Sequence, residues 1–166
     1  QKHRKNSDQA KEFYEKATKE KYGSDPSKLA QKKQKDLAAL AKYRNQIKKQ
    51  EGTVQSLPAL FNLAELYLFN LSEPDSALAV YQQALKVSDN TNYAPKALYA
   101  IGLIFADSLK NVKTARKVFQ NLIESYPVTP YAIRARERIE HQRTEDNLAE
   151  ARFLEAENLK EKENQE

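Results

Sequence analysis

One histidine lies among carboxylates and could, by residue type, bind a metal ion. His141 is close in sequence to Glu137, Glu140 and Glu145, and imidazole combined with carboxylate is a ligand set that divalent transition metals accept. The competing interpretation is a solvated helix face, where charges of both signs at helical spacing are common. We favour the solvated face, and therefore predict no metal site and no bound cofactor.

The common catalytic patterns are missing from the sequence. The chain has no cysteine, and its three glycines form neither a phosphate-binding loop nor a nucleophile elbow. Asp and Glu are plentiful, but acid–base catalysis requires a carboxylate whose pKa is shifted by burial or by a specific neighbour. The sequence predicts no catalytic residue, and we expect a protein that is not an enzyme.

Basic residues are concentrated at the start of the chain. Residues 1–50 carry a net charge of +9, residues 51–166 carry −4, and residues 144–166 carry −5. A basic segment can contact phosphates or an anionic surface. No base-reading motif accompanies it, and within it only Tyr43 could stack on a base, so nucleic acid is a less favoured partner than protein. The candidate basic face consists of Lys32, Lys33, Lys35, Lys42 and Lys49.

The composition favours helices. Apolar residues make up 40% of the 166 residues and charged residues 31%, while Gly and Pro number only three and six. This excludes a Gly-rich nucleotide fold and argues against a β-sandwich or barrel, which need many turns. No stretch approaches the roughly 20 apolar residues of a membrane span. The polar start, Gln1 to Asn6, does not resemble a signal peptide.

An internal repeat of 38 residues organises the middle of the chain. Shifting the sequence by 38 places eight apolar residues of 59–85 on apolar residues of 97–123 without a gap. Within the first unit, Leu60, Leu63 and Tyr67 lie on one helical stripe, and a second stripe contains Ala77 and Tyr81. Each unit is thus predicted to be an antiparallel pair of amphipathic helices.

These units resemble tetratricopeptide repeats. The first helices offer the expected sequence of large, apolar, small and aromatic residues, and the second helices offer Ala followed by an aromatic residue four positions on. The matching residues are Leu60, Leu63, Ala64, Tyr67, Ala77 and Tyr81, then Leu98, Ile101, Gly102, Phe105, Ala115 and Phe119. The resemblance implies an all-α solenoid of stacked hairpins, in which Ala64 and Gly102 lie where two helices touch.

The resemblance also implies a concave surface for a protein partner, lined by the first helices of successive repeats. The groove positions on this chain are Phe61, Glu65, Leu68, Phe69, Tyr99, Leu103 and Asp107. Most of them are apolar, as is typical of a binding patch. Two alternatives stay open: the groove binds a partner segment, or the long helix before the repeats folds over it.

The remaining segments have weaker patterns. Residues 1–25 contain the second-helix spacing without a first helix, which suggests a piece of a longer array. Residues 26–56 are predicted to be a long basic helix and a linker. The hairpins are placed at 57–90, 91–128 and 129–162, with a frayed tail. For the last, we favour a hairpin with a turn near Thr144 over one long helix, because Ala149 and Phe153 repeat the second-helix spacing.

The junctions between the repeats resemble those of one group within the family. Residues 90–97 and 126–132 are similar to junctions in tetratricopeptide repeat proteins of the bacterial cell envelope, such as the lipoprotein of the outer-membrane β-barrel assembly machine and the periplasmic coordinator of envelope constriction. The resemblance implies a protein–protein interaction scaffold on the periplasmic side of the envelope, with an assembly complex as its partner. The alternative is a basic adaptor that contacts nucleic acid or an anionic surface through helix 26–50.

Overall fold

The computed structural model describes residues 12, 14–16, 25–89 and 91–163. Within these ranges the secondary structure is helical and contains no β-strand, so the prediction of an all-α helical-repeat fold is confirmed. The helix predicted over residues 7–22 lies largely outside the described residues. The chain divides into two compact units, Gln1–Ala97 (unit 1) and Leu98–Glu166 (unit 2).

The helices follow one another through short connections. They are α1 (Asp25–Lys49), a 3-10 turn (Val54–Ser56), α2 (Leu57–Glu65) continued by a π-helical turn (Leu66–Asn70), α3 (Pro74–Leu85), α4 (Tyr93–Leu103) continued by a π-helical turn (Ile104–Ser108), α5 (Val112–Ser125) and α6 (Pro130–Glu163). Proline occupies the first turn of both α2 and α3, where its missing N–H costs no hydrogen bond and its fixed φ suits the helix.

The core of unit 1 is built from the apolar stripes of α2 and α3. Small residues at the contact, Ala64, Ala77 and Ala84, are completely buried, and they allow the two helices to approach closely. Leu57 and Leu60 fill the space beside them with almost no exposed surface. Burial of apolar area is the main source of the stability of such a hairpin.

The core of unit 2 lies between α5 and the first half of α6. Its buried residues are Ala115, Phe119, Leu122, Ala132 and Ala135. Asn111 lies immediately before α5, and Thr129 lies immediately before α6. The Asn111 carboxamide oxygen accepts a hydrogen bond from the Thr114 N–H at 3.0 Å. Asn111 thus caps α5 and satisfies one of the N–H groups that a helix start leaves unpaired.

Both repeats end their first helix in the same way. The π-helical turns begin 38 residues apart, at Leu66 and Ile104. Each is followed by a residue with left-handed backbone, Ser72 with φ of 56° and Lys110 with φ of 53°. Non-glycine residues rarely adopt this conformation, so its recurrence shows that the repeat extends to the backbone of the turn.

One prediction for unit 2 is wrong, because no turn interrupts the chain near Thr144. A single helix, α6, runs from Pro130 to Glu163. The Thr144 hydroxyl donates to the Glu140 carbonyl at 3.0 Å within the helix, and the sequence around it contains neither Gly nor Pro. With no residue that favours a break, the helix continues past this point.

Alanine does not fit at position 102, where the two helices of the second repeat touch. A Cβ atom built on Gly102 would lie 2.2 Å from Cε1 of Phe119, far inside van der Waals contact. Because Phe119 is buried in the core of unit 2, its ring has little room to move away. Gly102 is required by the ring that faces it, which outweighs the better helix propensity of Ala.

Candidate protein-binding surface

Helix α1 packs along the first helix of the first repeat and runs antiparallel to it. The Arg44 guanidinium donates to the Tyr67 hydroxyl at 2.5 Å, and the Asn70 amide donates to Oδ1 of Asp36 at 2.8 Å. Ile47 is buried at the same contact. The long basic helix is therefore part of unit 1 and fixed beside the repeat.

An open groove follows the line where α1 meets α2 and its π-helical turn; we refer to it as the unit-1 groove. Its larger part has a volume of about 540 Å³, and an adjoining part of about 320 Å³ shares Tyr43 and Asn62 with it. Lysines line the α1 side, and polar and aromatic residues line the other. The charged and aromatic lining residues include Lys32, Lys35, Lys42, Glu65 and Phe69.

A buried carboxylate also lines this groove. Asp36 is 5% exposed, and although its Oδ1 is held by Asn70, its Oδ2 has no hydrogen-bond partner within the part of the chain that the structure describes. An unpaired buried acceptor is unfavourable. A ligand that brings a hydrogen-bond donor to Asp36 would remove this cost.

Phe61, which the sequence places off the core, is buried, and that expectation is corrected. The side chain is 2% exposed and its ring centroid lies 5.3 Å from that of Tyr81 and 5.1 Å from that of Tyr93. The Lys96 ammonium lies 4.8 Å from the Phe61 ring centroid. An aromatic side chain is long enough to reach these rings, so Phe61 belongs to the packing of α2 against α3 and α4 and does not line the groove.

The other predicted positions of the first repeat remain accessible to different degrees. Phe69 is 73% exposed, while Leu68 is half-buried. Glu65 lines the groove, and its carboxylate lies 3.7 Å from the Lys96 ammonium. Phe69 is thus an aromatic ring open to solvent beside a charged rim, which is the arrangement expected of a binding anchor.

The predicted positions of the second repeat lie in unit 2 and are engaged there. Tyr99 packs with its ring centroid 5.8 Å from that of Phe119 and 5.9 Å from that of Tyr131. Leu103 also packs against the core of unit 2, and Asp107 accepts a hydrogen bond from Arg138. The expectation that Tyr99 and Leu103 stand apart from the core is therefore corrected.

The lysines of α1 form a stripe. Because α1 is helical from Asp25 to Lys49, Lys35, Lys42 and Lys49, at spacings of seven, lie on nearly the same side. These three and Lys32 are exposed, and Lys33 is half-buried. Lys32, Lys35 and Lys42 line the unit-1 groove, so this part of the basic face and the groove form one surface.

The buried hydroxyl of Tyr81, in unit 1, has a raised pKa. Burial, and to a smaller extent the nearby negative charge of Glu65, raises the pKa of Tyr81 to about 12. The hydroxyl therefore stays neutral over the physiological range. In folded unit 1 it is a structural group, because it is 3% exposed.

The histidine considered as a metal ligand lies on the exposed side of α6. Its Nε2 is 3.6 Å from a carboxylate oxygen of Glu145, one helical turn away, while Glu140 lies 3.6 Å from the Arg143 guanidinium. In the described ranges, no cluster of three or more His, Cys, Asp or Glu side chains is arranged to hold a metal. Nor does any described helix have the length and apolar character needed to cross a membrane.

Sequence reasoning missed several residues that line the groove, among them Asp36, Asn62 and Asn70. A signal for Asp36 was present, because it is the sole acidic residue between positions 26 and 50. An isolated carboxylate in a basic helix often has a specific partner. Asn62 and Asn70 gave no comparable signal, since their role depends on the placement of α1.

Comparison with known proteins agrees with the helical pattern of the repeats. Residues 57–91 and residues 96–127 each match a sequence model described as tetratricopeptide repeat. No curated protein and no solved structure gives a significant match to the chain. The matched segments coincide with the α2–α3 pair and with most of the α4–α5 pair, so both helix pairs are similar in sequence to tetratricopeptide repeats.

Proposed function

We propose that this protein is an interaction scaffold that binds a segment of a partner protein in the unit-1 groove. Tetratricopeptide repeats generally mediate protein–protein interaction and are typically non-catalytic. The observation that carries the proposal is the exposed ring of Phe69 at the edge of a groove of about 540 Å³. Large rings exposed beside a groove are favoured as hot spots of binding.

The groove favours a particular kind of segment. An apolar side chain of the partner would cover Phe69 and Tyr43, and acidic side chains would meet Lys32 and Lys35. A donor such as an amide or guanidinium would reach Asp36. Binding would draw its free energy from the buried aromatic surface, while the lysines would mainly accelerate encounter and select the partner.

Site-specific photo-crosslinking tests the proposal. A photoreactive amino acid is placed at Phe69 and, as a matched control, at Val128, which is 90% exposed in a turn of unit 2. We expect a partner to crosslink from position 69 and not from position 128. A synthetic peptide of the crosslinked segment should then bind the full chain, and Phe69→Ala should weaken it by about tenfold or more.

Two results would contradict the proposal. Equal crosslinking from both positions would show that the groove has no selectivity. Peptide binding that is unaffected by Phe69→Ala while the variant keeps its melting temperature would show that the ring is not an anchor. Because Phe69 is mostly exposed, its truncation should change the free energy of unfolding little.

A second candidate function is favoured by the lysine stripe of α1. Four exposed lysines along one helix could bind nucleic acid or an anionic surface, as the alternative interpretation of the sequence holds. Titration of a short DNA duplex at increasing salt tests it, because contacts to several phosphates give a steep salt dependence. Loss of duplex binding in Lys35→Gln/Lys42→Gln, with Phe69→Ala unaffected, would favour this function over the groove.

The cellular location proposed for the scaffold is the periplasmic side of a bacterial envelope, within an assembly complex. Its support is the similarity of residues 90–97 and 126–132 to junctions in envelope proteins of this repeat family. Fractionation of cells that express the full-length protein tests this directly. We expect the protein in the periplasmic or membrane fraction; recovery with cytoplasmic markers would refute the location and leave the binding function intact.

A further inference from the structure

The second half of α6 presents apolar side chains that the described part of the chain does not cover. The first half is anchored, since Ala132 and Ala135 are buried and the Arg116 guanidinium donates to Asp146 at 3.1 Å. From position 147 to 157 every side chain is exposed. The large apolar side chains among them are Leu148, Phe153 and Leu154. Large apolar side chains exposed together on one segment favour contact with another surface.

This end of α6, which we refer to as the acidic tail (residues 144–163), has the opposite charge to α1. Residues 144–166 contain eight acidic and three basic residues. Glu150, Glu155 and Glu157 flank its apolar positions and are exposed. The unit-1 groove is lined by lysines on its α1 side. The two surfaces are therefore complementary both in charge and in exposed apolar area.

We infer that the acidic tail of one copy of this chain docks in the unit-1 groove of a second copy. The inference rests on the proposed function of the groove and names its partner. Phe69 is 73% exposed and Phe153 is 62% exposed among the described residues, so each surface offers a large aromatic ring to a partner. Docking between copies would bury the exposed phenylalanine of each and pair carboxylates with lysines.

A basic residue of the tail matches the acidic floor of the groove. Arg152 is the sole basic residue between positions 144 and 159, and a guanidinium carries five N–H donors. The groove contains Asp36, whose Oδ2 lacks a hydrogen-bond partner in the described residues, and Glu65. The Arg152 guanidinium would donate to these carboxylates, while the acidic residues of the tail would pair with the lysines. The tail is therefore complementary to both the negative and the positive charges of the groove.

The geometry of the contact determines the kind of assembly. The groove and the tail are different surfaces, so each copy would offer one of each to its neighbours. Reciprocal docking between two copies forms a closed dimer, and docking in one direction forms a larger ring or an open chain. We therefore expect the mass of the full chain to rise with concentration until a ring closes or chains lengthen.

Sedimentation velocity of the full chain at low and high salt gives the first measurement. We expect self-association at low salt and weaker association at high salt, because exposed ion pairs are screened. Charge reversal in the groove, Lys32→Glu/Lys35→Glu, should weaken self-association by about tenfold or more. Reversal in the tail, Glu150→Lys/Glu155→Lys, should have the same effect. The control Lys113→Glu/Lys117→Glu reverses exposed lysines of α5 and should leave self-association unchanged.

Mixing the two reversed variants is the decisive test. An acidic groove then meets a basic tail, and a basic groove meets an acidic tail, so the mixture should associate although each variant alone does not. Phe153→Ala should weaken association of the native chain without lowering its melting temperature. Circular dichroism confirms that each variant is folded.

Three results would overturn the inference: a native chain that stays monomeric up to its solubility limit, association that survives reversal of the groove, or a mixture that fails to associate. If the chain is monomeric but a peptide crosslinked from position 69 binds the groove, the inference is wrong and the proposed function stands. If neither the tail nor any crosslinked peptide binds, both are wrong.

Discussion

The two repeats share a backbone and differ in how they fill it. In both, the first helix passes into a π-helical turn, and the residue two positions after that turn has positive φ. The N–H of Glu73 donates to the Tyr67 carbonyl at 2.8 Å, and 38 residues later the N–H of Asn111 donates to that of Phe105 at 2.7 Å. The turn is conserved as geometry even though its residues are not.

The contact between the paired helices shows the largest difference. The first repeat places Ala64 on its first helix and Tyr81 on its second, whereas the second repeat uses Gly102 and Phe119 at the same positions. The tyrosine of the ring pair also lies on a different helix in each repeat: Phe61 faces Tyr81 in the first, and Tyr99 faces Phe119 in the second. The ring pair is retained, and the residue opposite the ring is one methyl group smaller in the second repeat.

The largest effect is expected from Gly102→Leu, which fills the space that Phe119 occupies. Overpacking of a tight core typically costs about 1–3 kcal/mol, and the contact at 2.2 Å places this variant at or above the upper end. Gly102→Ala should be destabilising as well. Chemical denaturation of the full chain measures both, and Gly102→Ala/Phe119→Leu should recover part of the loss. An Ala variant as stable as the native chain would refute the close contact.

The buried hydroxyl of Tyr81 is expected to make the stability of the chain depend on pH in the alkaline range. Because folding raises the pKa of Tyr81 from 10.0 to about 12, the neutral phenol is favoured in the folded state. The contribution of the neutral phenol to the free energy of unfolding is complete below pH 10 and is lost as the pH rises towards 12. At pH 11 the loss of unfolding free energy is on the order of 1 kcal/mol.

The matched control for this prediction is Tyr81→Phe, which makes the first repeat like the second. Urea denaturation between pH 9 and pH 11 should show a smaller decrease in the variant than in the native chain. Lysines titrate over the same interval in both proteins, so the difference isolates the phenol. Parallel curves would contradict a raised pKa for Tyr81.

The helix caps predict a smaller difference. Asn111 accepts a hydrogen bond from the Thr114 N–H at 3.0 Å, whereas Glu73, at the same position of the first repeat, makes no side-chain cap bond. Asn111→Ala should therefore cost about 1 kcal/mol, and Glu73→Ala should cost much less. Thermal melts compare them directly; equal losses would mean that the cap bond contributes nothing.

The smallest effects are expected at the left-handed residues. Glycine avoids the steric cost of positive φ, so Ser72→Gly and Lys110→Gly should each stabilise the chain by about 0.5–1 kcal/mol. Lys117→Gly, in the middle of α5, is the control and should destabilise by about 1 kcal/mol. Destabilisation by all three would indicate that the turns do not favour glycine.

Much of the repeat architecture could be predicted from sequence because local patterns determine it. Helical stripes, small residues at close contacts and proline at helix starts all depend on neighbours within about ten residues. The matched apolar positions of 59–85 and 97–123 therefore indicated the paired helices. The prediction of a turn near Thr144 was wrong because it relied on the second-helix spacing of Ala149 and Phe153. The absence of Gly and Pro around Thr144, which favours a continuous helix, was the more reliable local signal.

The surface was harder to predict because it depends on contacts between distant segments. Phe61 and Tyr99 lie off the main stripe of their helices, yet both reach neighbouring rings and become part of the packing. The position of α1 beside α2 is fixed by pairs such as Asn70 with Asp36, which are 34 residues apart. No local periodicity indicates such a pair, so the groove that it creates could not be located from sequence.

The π-helical turns also bear on how these repeats could be exchanged or designed. Tetratricopeptide repeats commonly have a period of about 34 residues, whereas the two repeats here are offset by 38. A π-helical turn holds one residue more than an α-helical turn, so part of the longer period lies inside the first helix. Deletion of one residue between Leu66 and Phe69, which would restore an α-helical turn, would change the angular phase of every later residue of that helix. Phe69 would then point in a different direction, so the groove depends on an inserted residue as much as on the aromatic ring itself.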